Sequence, residues 1–112
     1  MADLASGLSG VRVVSGLWVV GRLDATQVDG FTQFLISEEG PEGRRYANRV
    51  SYRRYSSQSG EKSEVAAAAE GVELGSLVMV RVIPRVRPGG VGPRGAYHPF
   101  VTFSARGGFV AL

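Results

Sequence analysis

Cysteine is absent from the 112 residues, histidine and tryptophan occur once each, as His98 and Trp18, and all but one of the thirteen cations are arginine. Without cysteine there are no disulfides and no thiolate metal sites. One histidine rules out a multi-histidine metal site within a single chain, and no metal or cofactor is expected. No apolar run approaches the length of a membrane span. The opening MADLASGLSG lacks the basic start and continuous apolar core of a signal peptide, so the expectation is a cytoplasmic protein. Catalytic patterns are missing too. A serine–histidine–acid arrangement through His98 has no nucleophile elbow to support it. GPEGR and PGGVGPRG are glycine-rich, yet neither ends in the lysine-serine/threonine of a phosphate-binding loop. Glu38 and Glu39 beside Pro41 read as a solvated turn. An enzyme is not expected.

What is present fits one soluble domain, with 44% hydrophobic and 21% charged residues. Net charge is only +3, but the charges are segregated. Acids gather at Glu38, Glu39 and Glu42 and again between Glu61 and Glu73, whereas Arg81 to Leu112 holds five arginines and no acid. Such segregation puts a positive surface on a near-neutral molecule, as an anionic polymer requires. The densest stretch is RRYANRVSYRRY, Arg44 to Tyr55, with five arginines, three tyrosines and no acid, glycine or proline. At period two, one face carries Tyr46, Asn48, Val50 and Tyr52. The other carries Arg45, Ala47, Arg49, Ser51, Arg53 and Tyr55. A strand of this kind buries the first face and offers the second to an anion. On this reading Tyr46 and Tyr52 are packing residues.

Taken in order, Met1 to Gly10 reads as a mobile arm. VRVVSGLWVVGRL, Val11 to Leu23, reads as one long strand bent at Gly16 and Gly21, because β-branched residues and glycine both disfavour helix. Asp24 to Gly30 is a turn with a hairpin signal at Asp29-Gly30. Phe31 to Ser37 is a second strand and Glu38 to Gly43 its loop. The arginine-rich strand follows, paired antiparallel with the second. Glu61 to Glu70 has the strongest helix propensity, with Ser59 or Ser63 as its cap and Gly71 as its stop. Leu77 to Val86 is a fourth strand, and Pro84 in it signals an edge or a bulge. Arg87 to Gly95 is a basic loop, Tyr97 to Ala105 the fifth strand, and FVAL a last apolar run. Five strands with one short helix between the third and fourth make an all-β chain. The order is that of the five-stranded oligonucleotide/oligosaccharide-binding (OB-fold) barrel, over residues 11–112.

Within that order, LWVVGRL resembles the opening strand of the bacterial single-stranded DNA-binding protein family and its primosomal relatives. NRVSYRR resembles the family's third strand, LGSLVMVRVIPRVR its entry into strand four, and SARGGFVAL its closing strand. The resemblance covers nearly the whole chain from about Val11 and implies binding of single-stranded DNA or RNA by a barrel that assembles into dimers or tetramers. The family's base-stacking positions fall here on Gly40, Ala47, Arg53 and Gly89, none of them aromatic. The family's acidic, partner-recruiting tail has no counterpart, so recruitment of repair proteins is not expected. A tailless relative from a phage or plasmid, or a primosome-type accessory protein, fits the pattern, serving replication, recombination or transfer of DNA.

The residues themselves single out Arg45, Arg49 and Arg53 for phosphate contact, with Arg81, Arg85, Arg87 and Arg94 continuing the surface. Arginine bonds phosphate through two parallel N–H donors and also stacks on bases. Tyr55 and Tyr97 are the candidates for stacking. Trp18 in its valine-rich strand reads as core or subunit interface, and His98 beside Pro99 as structural. The function expected is non-specific binding of single-stranded nucleic acid. The alternative is a structural or protein-interaction barrel, such as a phage or mobile-element assembly subunit, whose arginines are solvated or face a protein partner.

Overall fold

The structure is a computed structural model, and it describes residues 10–13, 16–87 and 100–112, with the backbone alone at 11–13, 87 and 100. The first strand region is not one strand. It folds back on itself as β1 (Gly10–Val13) and β2 (Leu17–Ala25), paired antiparallel from Gly10↔Val20 to Val13↔Leu17. Gly16, at φ 130, carries the chain into β2 with backbone angles that a β-branched residue avoids. Gly21 has a different task. On one edge of β2, residues 17 to 20 pair with β1, whereas residues 22 to 25 pair with β3 (Gln33–Glu39). At the changeover a Cβ on Gly21 would collide with the Ser37 carbonyl oxygen and sit 3.0 Å from Ile36 Cγ2. Glycine there lets two backbones cross closely, which is how a small barrel turns its corner.

β3 and β4 (Arg45–Ser51) form the expected hairpin, in register from Gln33↔Ser51 to Glu39↔Arg45. β4 then runs parallel to β6 (Phe100–Ala105) for only two residue pairs, Val50↔Phe103 and Ser51↔Ser104. β6 pairs antiparallel with β5 (Leu77–Arg87), and β5 pairs with β2 from Leu77↔Arg22 to Val82↔Leu17. The cycle β2–β3–β4–β6–β5–β2 is closed: a five-stranded barrel of the OB type. β7 (Val110–Ala111) adds a short ladder on β5. Pro84 lies beyond Val82, where β5 has lost β2 as a neighbour and retains only β6. It sits at a strand edge, where its missing N–H leaves no orphaned partner.

The core is aliphatic with two aromatic plugs. Val19, Leu23, Phe34, Ile36, Val50, Val78 and Val80 are fully buried, and Phe109 enters from the C-terminal segment. The one α-helix among the described residues, α1 (Glu64–Glu70), is shorter than Glu61–Glu70. It lays Val65, Ala66 and Ala69 on the core. Of its two candidate caps, Ser63 serves: its hydroxyl accepts from the Ala66 N–H at 3.1 Å, and Gly71 closes the other end. Trp18 is half-buried on the outer side of β2, opposite Arg81 on β5. Its indole edge lies against Gly108, just before the chain dips to bury Phe109.

Candidate nucleic-acid interface

The arginine-rich stretch divides into three parts. Along β4, Val50 is fully buried, and past its end Tyr52 packs on the core, its ring stacked on Phe34 with centroids 3.9 Å apart and planes 4° from parallel. Those two match the expected core face. Tyr46 does not: it is 48% exposed and its ring lies over Gly40, at the hairpin's far end where no core remains to receive it. On the outer face Arg45 and Arg49 already have partners. Arg45 donates to Ser37 Oγ at 2.7 Å and lies 3.6 Å from the Asp24 carboxylate, while Arg49 reaches Asp29 at 3.4 Å. Both guanidiniums remain more than half exposed, so each pairing is weak and screened by salt.

The third part lies past the end of β4, at Ser51, whereas the sequence pattern continued the strand to Tyr55. Nothing in YRRY breaks a strand. It ends because its pairings with both β3 and β6 end at Ser51 and the chain turns towards α1. Residues 52–63 form a braced loop. Ser56 Oγ accepts from the N–H groups of Gln58 and Ser59, and Ser59 Oγ from that of Glu61. Ser63 donates its hydroxyl to the Arg53 carbonyl, its N–H bonds Arg54 O at 2.8 Å, and Tyr55 pairs with Lys62 in an isolated bridge. Arg53, Arg54 and Tyr55 therefore stand on a backbone fixed from several sides.

That loop faces the β5–β6 pair across a groove of about 730 Å³. Arg53 and Tyr55 line one side, Arg85 and Arg106 the other, with the hydroxyls of Ser51 and Ser104 also in the lining. Among the described residues, the ion pairs are Arg45–Asp24, Arg49–Asp29 and Lys62–Glu70, so none engages Arg53, Arg85 or Arg106. One acid, Glu64, lines the same groove. A second cavity of about 460 Å³ lies on the helix side of the loop, where Tyr52, Arg54, Lys62 and Glu70 meet. Tyr55 is a wall of both.

Of the residues singled out in the sequence, the groove thus gathers Arg53, Tyr55 and Arg85. Arg45 and Arg49 sit on the outer β4 face, and Arg81 lies beside Trp18, close to Gly16 and Gly108. The Arg87 side chain, Arg94, Tyr97, His98 and the basic loop that contains Gly89 lie outside the described residues, as does the arm from Met1 to Ser9. Two residues of the site escape the sequence pattern. Arg106 follows β6 and Arg54 sits out of phase with the arginine face. Only the signal of an acid-free C-terminal third pointed towards Arg106.

Tyr52 marks the boundary between core and site. Its hydroxyl donates to the Thr26 carbonyl at 2.8 Å. Burial raises its pKa above the ordinary 10.0, with the Arg54 guanidinium acting against the shift and the Glu70 carboxylate adding to it. Among the described residues no group of three His, Cys, Asp or Glu side chains is placed to hold a metal ion, and no helix is long and apolar enough to cross a membrane. Compared with protein-family models and with curated proteins, the sequence matches none.

Proposed function

We propose that this barrel binds single-stranded nucleic acid, chiefly through its phosphates, in the groove between the 52–63 loop and the β5–β6 pair. One observation carries the reading: Arg53, Arg85 and Arg106 line a single groove, and none of them has an ion-pair partner among the described residues. Arginines meant only for solubility are spread over a surface or balanced by acids, as Arg45 and Arg49 are here. Three unbalanced ones around a concave surface repel each other, and a polyanion relieves that repulsion. Tyr55, 57% exposed at the groove's side, supplies a stacking surface that any base can use. The strand order is that of a fold used to bind oligonucleotides, and it supports kinship with the single-stranded DNA-binding proteins that the sequence resembles. On that kinship the protein acts as a homo-oligomer in the handling of DNA.

The test compares two sets of substitutions by oligonucleotide binding. Changing Arg53, Arg85 and Arg106 together to alanine should weaken poly-thymidine binding by two orders of magnitude or more. Changing Arg45 and Arg49 together should weaken it only a few-fold, because their acids already offset them. Equal losses from the two sets would place the ligand on the outer β3–β4 face instead.

The rival reading, a barrel that docks another protein, draws on a different feature. Val86 and Val101 face each other across β5 and β6 and are 72% and 53% exposed. Such an apolar pair on a projecting arm suits a protein partner better than a phosphate backbone. Replacing both by threonine should leave oligonucleotide binding unchanged if the groove reading holds.

A further inference from the structure

The cavity on the helix side of the 52–63 loop lies apart from the arginine groove, yet it shares Tyr55 with it. We infer that it is a nucleobase pocket that favours bases carrying an exocyclic amino group. This deepens the nucleic-acid reading and rests on it. The lining is of two kinds. Val72 and the exposed Leu74 supply aliphatic surface against which a flat ring packs, with Ala66 and Ala69 buried beneath, while Arg54, Lys62 and Glu70 supply charge. Tyr55 is a wall fixed at the backbone by its bridge to Lys62, not a free loop tip. A chain whose phosphate meets Arg53 in the groove can stack its base on Tyr55 and present the base edge to the second cavity.

Glu70 sets the preference. A carboxylate repels phosphate, so whatever ligand group faces it must be a donor. Lys62 pairs with one oxygen of this carboxylate at 2.6 Å, so it is the other oxygen that would meet a base. Cytosine and adenine present an amino donor, through N4 and N6, where thymine presents the O4 acceptor. The donors of Arg54 and Lys62 then suit the ring acceptors that flank the amino group. Thymine would set O4 against the carboxylate and lose that match.

Equilibrium binding of equal-length oligo-dT, oligo-dC and oligo-dA, followed by fluorescence anisotropy at one salt concentration, tests this. The native protein should bind dC and dA about tenfold more tightly than dT, in the lower half of the range for discrimination by a good base contact. Glu70→Ala should bring dC and dA to the dT level and leave dT itself unchanged; Glu70 is exposed on the helix's last turn, so the fold survives its loss. Tyr55→Ala should weaken all three by roughly tenfold, the loss of one stacked base. Equal binding of the three oligonucleotides by the native protein would overturn the pocket and leave the phosphate reading standing, as would a preference that survives Glu70→Ala. Unchanged binding by Tyr55→Ala would remove the shared wall and the pocket with it. No binding to any of them at low salt would overturn the nucleic-acid reading and the pocket together.

Discussion

Tyr52 joins the barrel's interior to its binding surface, and its chemistry shows at the scale of a single residue. Its ring extends the buried stack on Phe34, and its hydroxyl ties the 52–63 loop to Thr26 at the end of β2. Tyr52→Phe keeps the stack and removes the hydrogen bond, at a cost of about 1 kcal/mol in urea unfolding. The same phenol predicts an alkaline limit. Its pKa is raised on folding, so the folded state favours the neutral form. The associated stability is complete below the ordinary phenol value of 10.0 and is lost as pH rises through that value towards the folded one. Urea midpoints measured at about pH 8 and about pH 11 should fall between the two in the native protein, and fall less in Tyr52→Phe. An equal fall in both would assign the alkaline loss elsewhere.

At the scale of elements, β2 and the loop after β4 decide the architecture. β2 serves β5 on one edge and both β1 and β3 on the other, and Gly21 is where the second edge changes partner. Gly21→Ala forces a methyl group against the Ser37 backbone, which cannot swing away as a side chain would, so a loss of roughly 1–3 kcal/mol is expected by chemical denaturation. Gly30→Ala, by contrast, meets no atom within 4 Å and carries only the cost of its φ of 80. Ser63→Ala removes both the α1 cap and the bond to the Arg53 carbonyl. About 1 kcal/mol should go with the cap, together with faster amide exchange across residues 53–55. Much of this layer could be read from the sequence. The helix cap, the Asp29-Gly30 turn and the burial of Val50 and Tyr52 follow from local chemistry and period-two alternation. What could not be read depends on partners distant in sequence. In VRVVSGLWVVGRL the valines are too uniform to say which glycine reverses the chain and which lets it coil. YRRY contains no breaker, and its strand ends only where its pairings with β3 and β6 run out. Tyr46 keeps the core phase but stands beyond the core, on Gly40.

The whole molecule brings together charges that the sequence scatters. Arg53, Arg85 and Arg106 come from three separate segments, and the β5–β6 and β4–β6 pairings set them round one groove, which is why the acid-free C-terminal third hinted at Arg106 without placing it. The β2–β3–β4 meander leaves Arg45 and Arg49 beside Asp24 and Asp29, so the face that looks most basic in sequence is the one most nearly neutralised. Net charge is small, and any affinity for a polyanion must come from this local arrangement and not from a general attraction. Counterion release then gives the most direct measurement: titration of a fluorescent poly-thymidine oligonucleotide against the native protein over a range of salt concentrations, with a duplex of equal length beside it. Three phosphate contacts correspond to a slope of about −2 in log affinity against log salt for a single strand, and each groove arginine removed should reduce it by about 0.7. Salt-sensitive binding near that slope, tighter to the single strand than to the duplex, is the result this account predicts. No binding at low salt, or binding indifferent to salt, would contradict it.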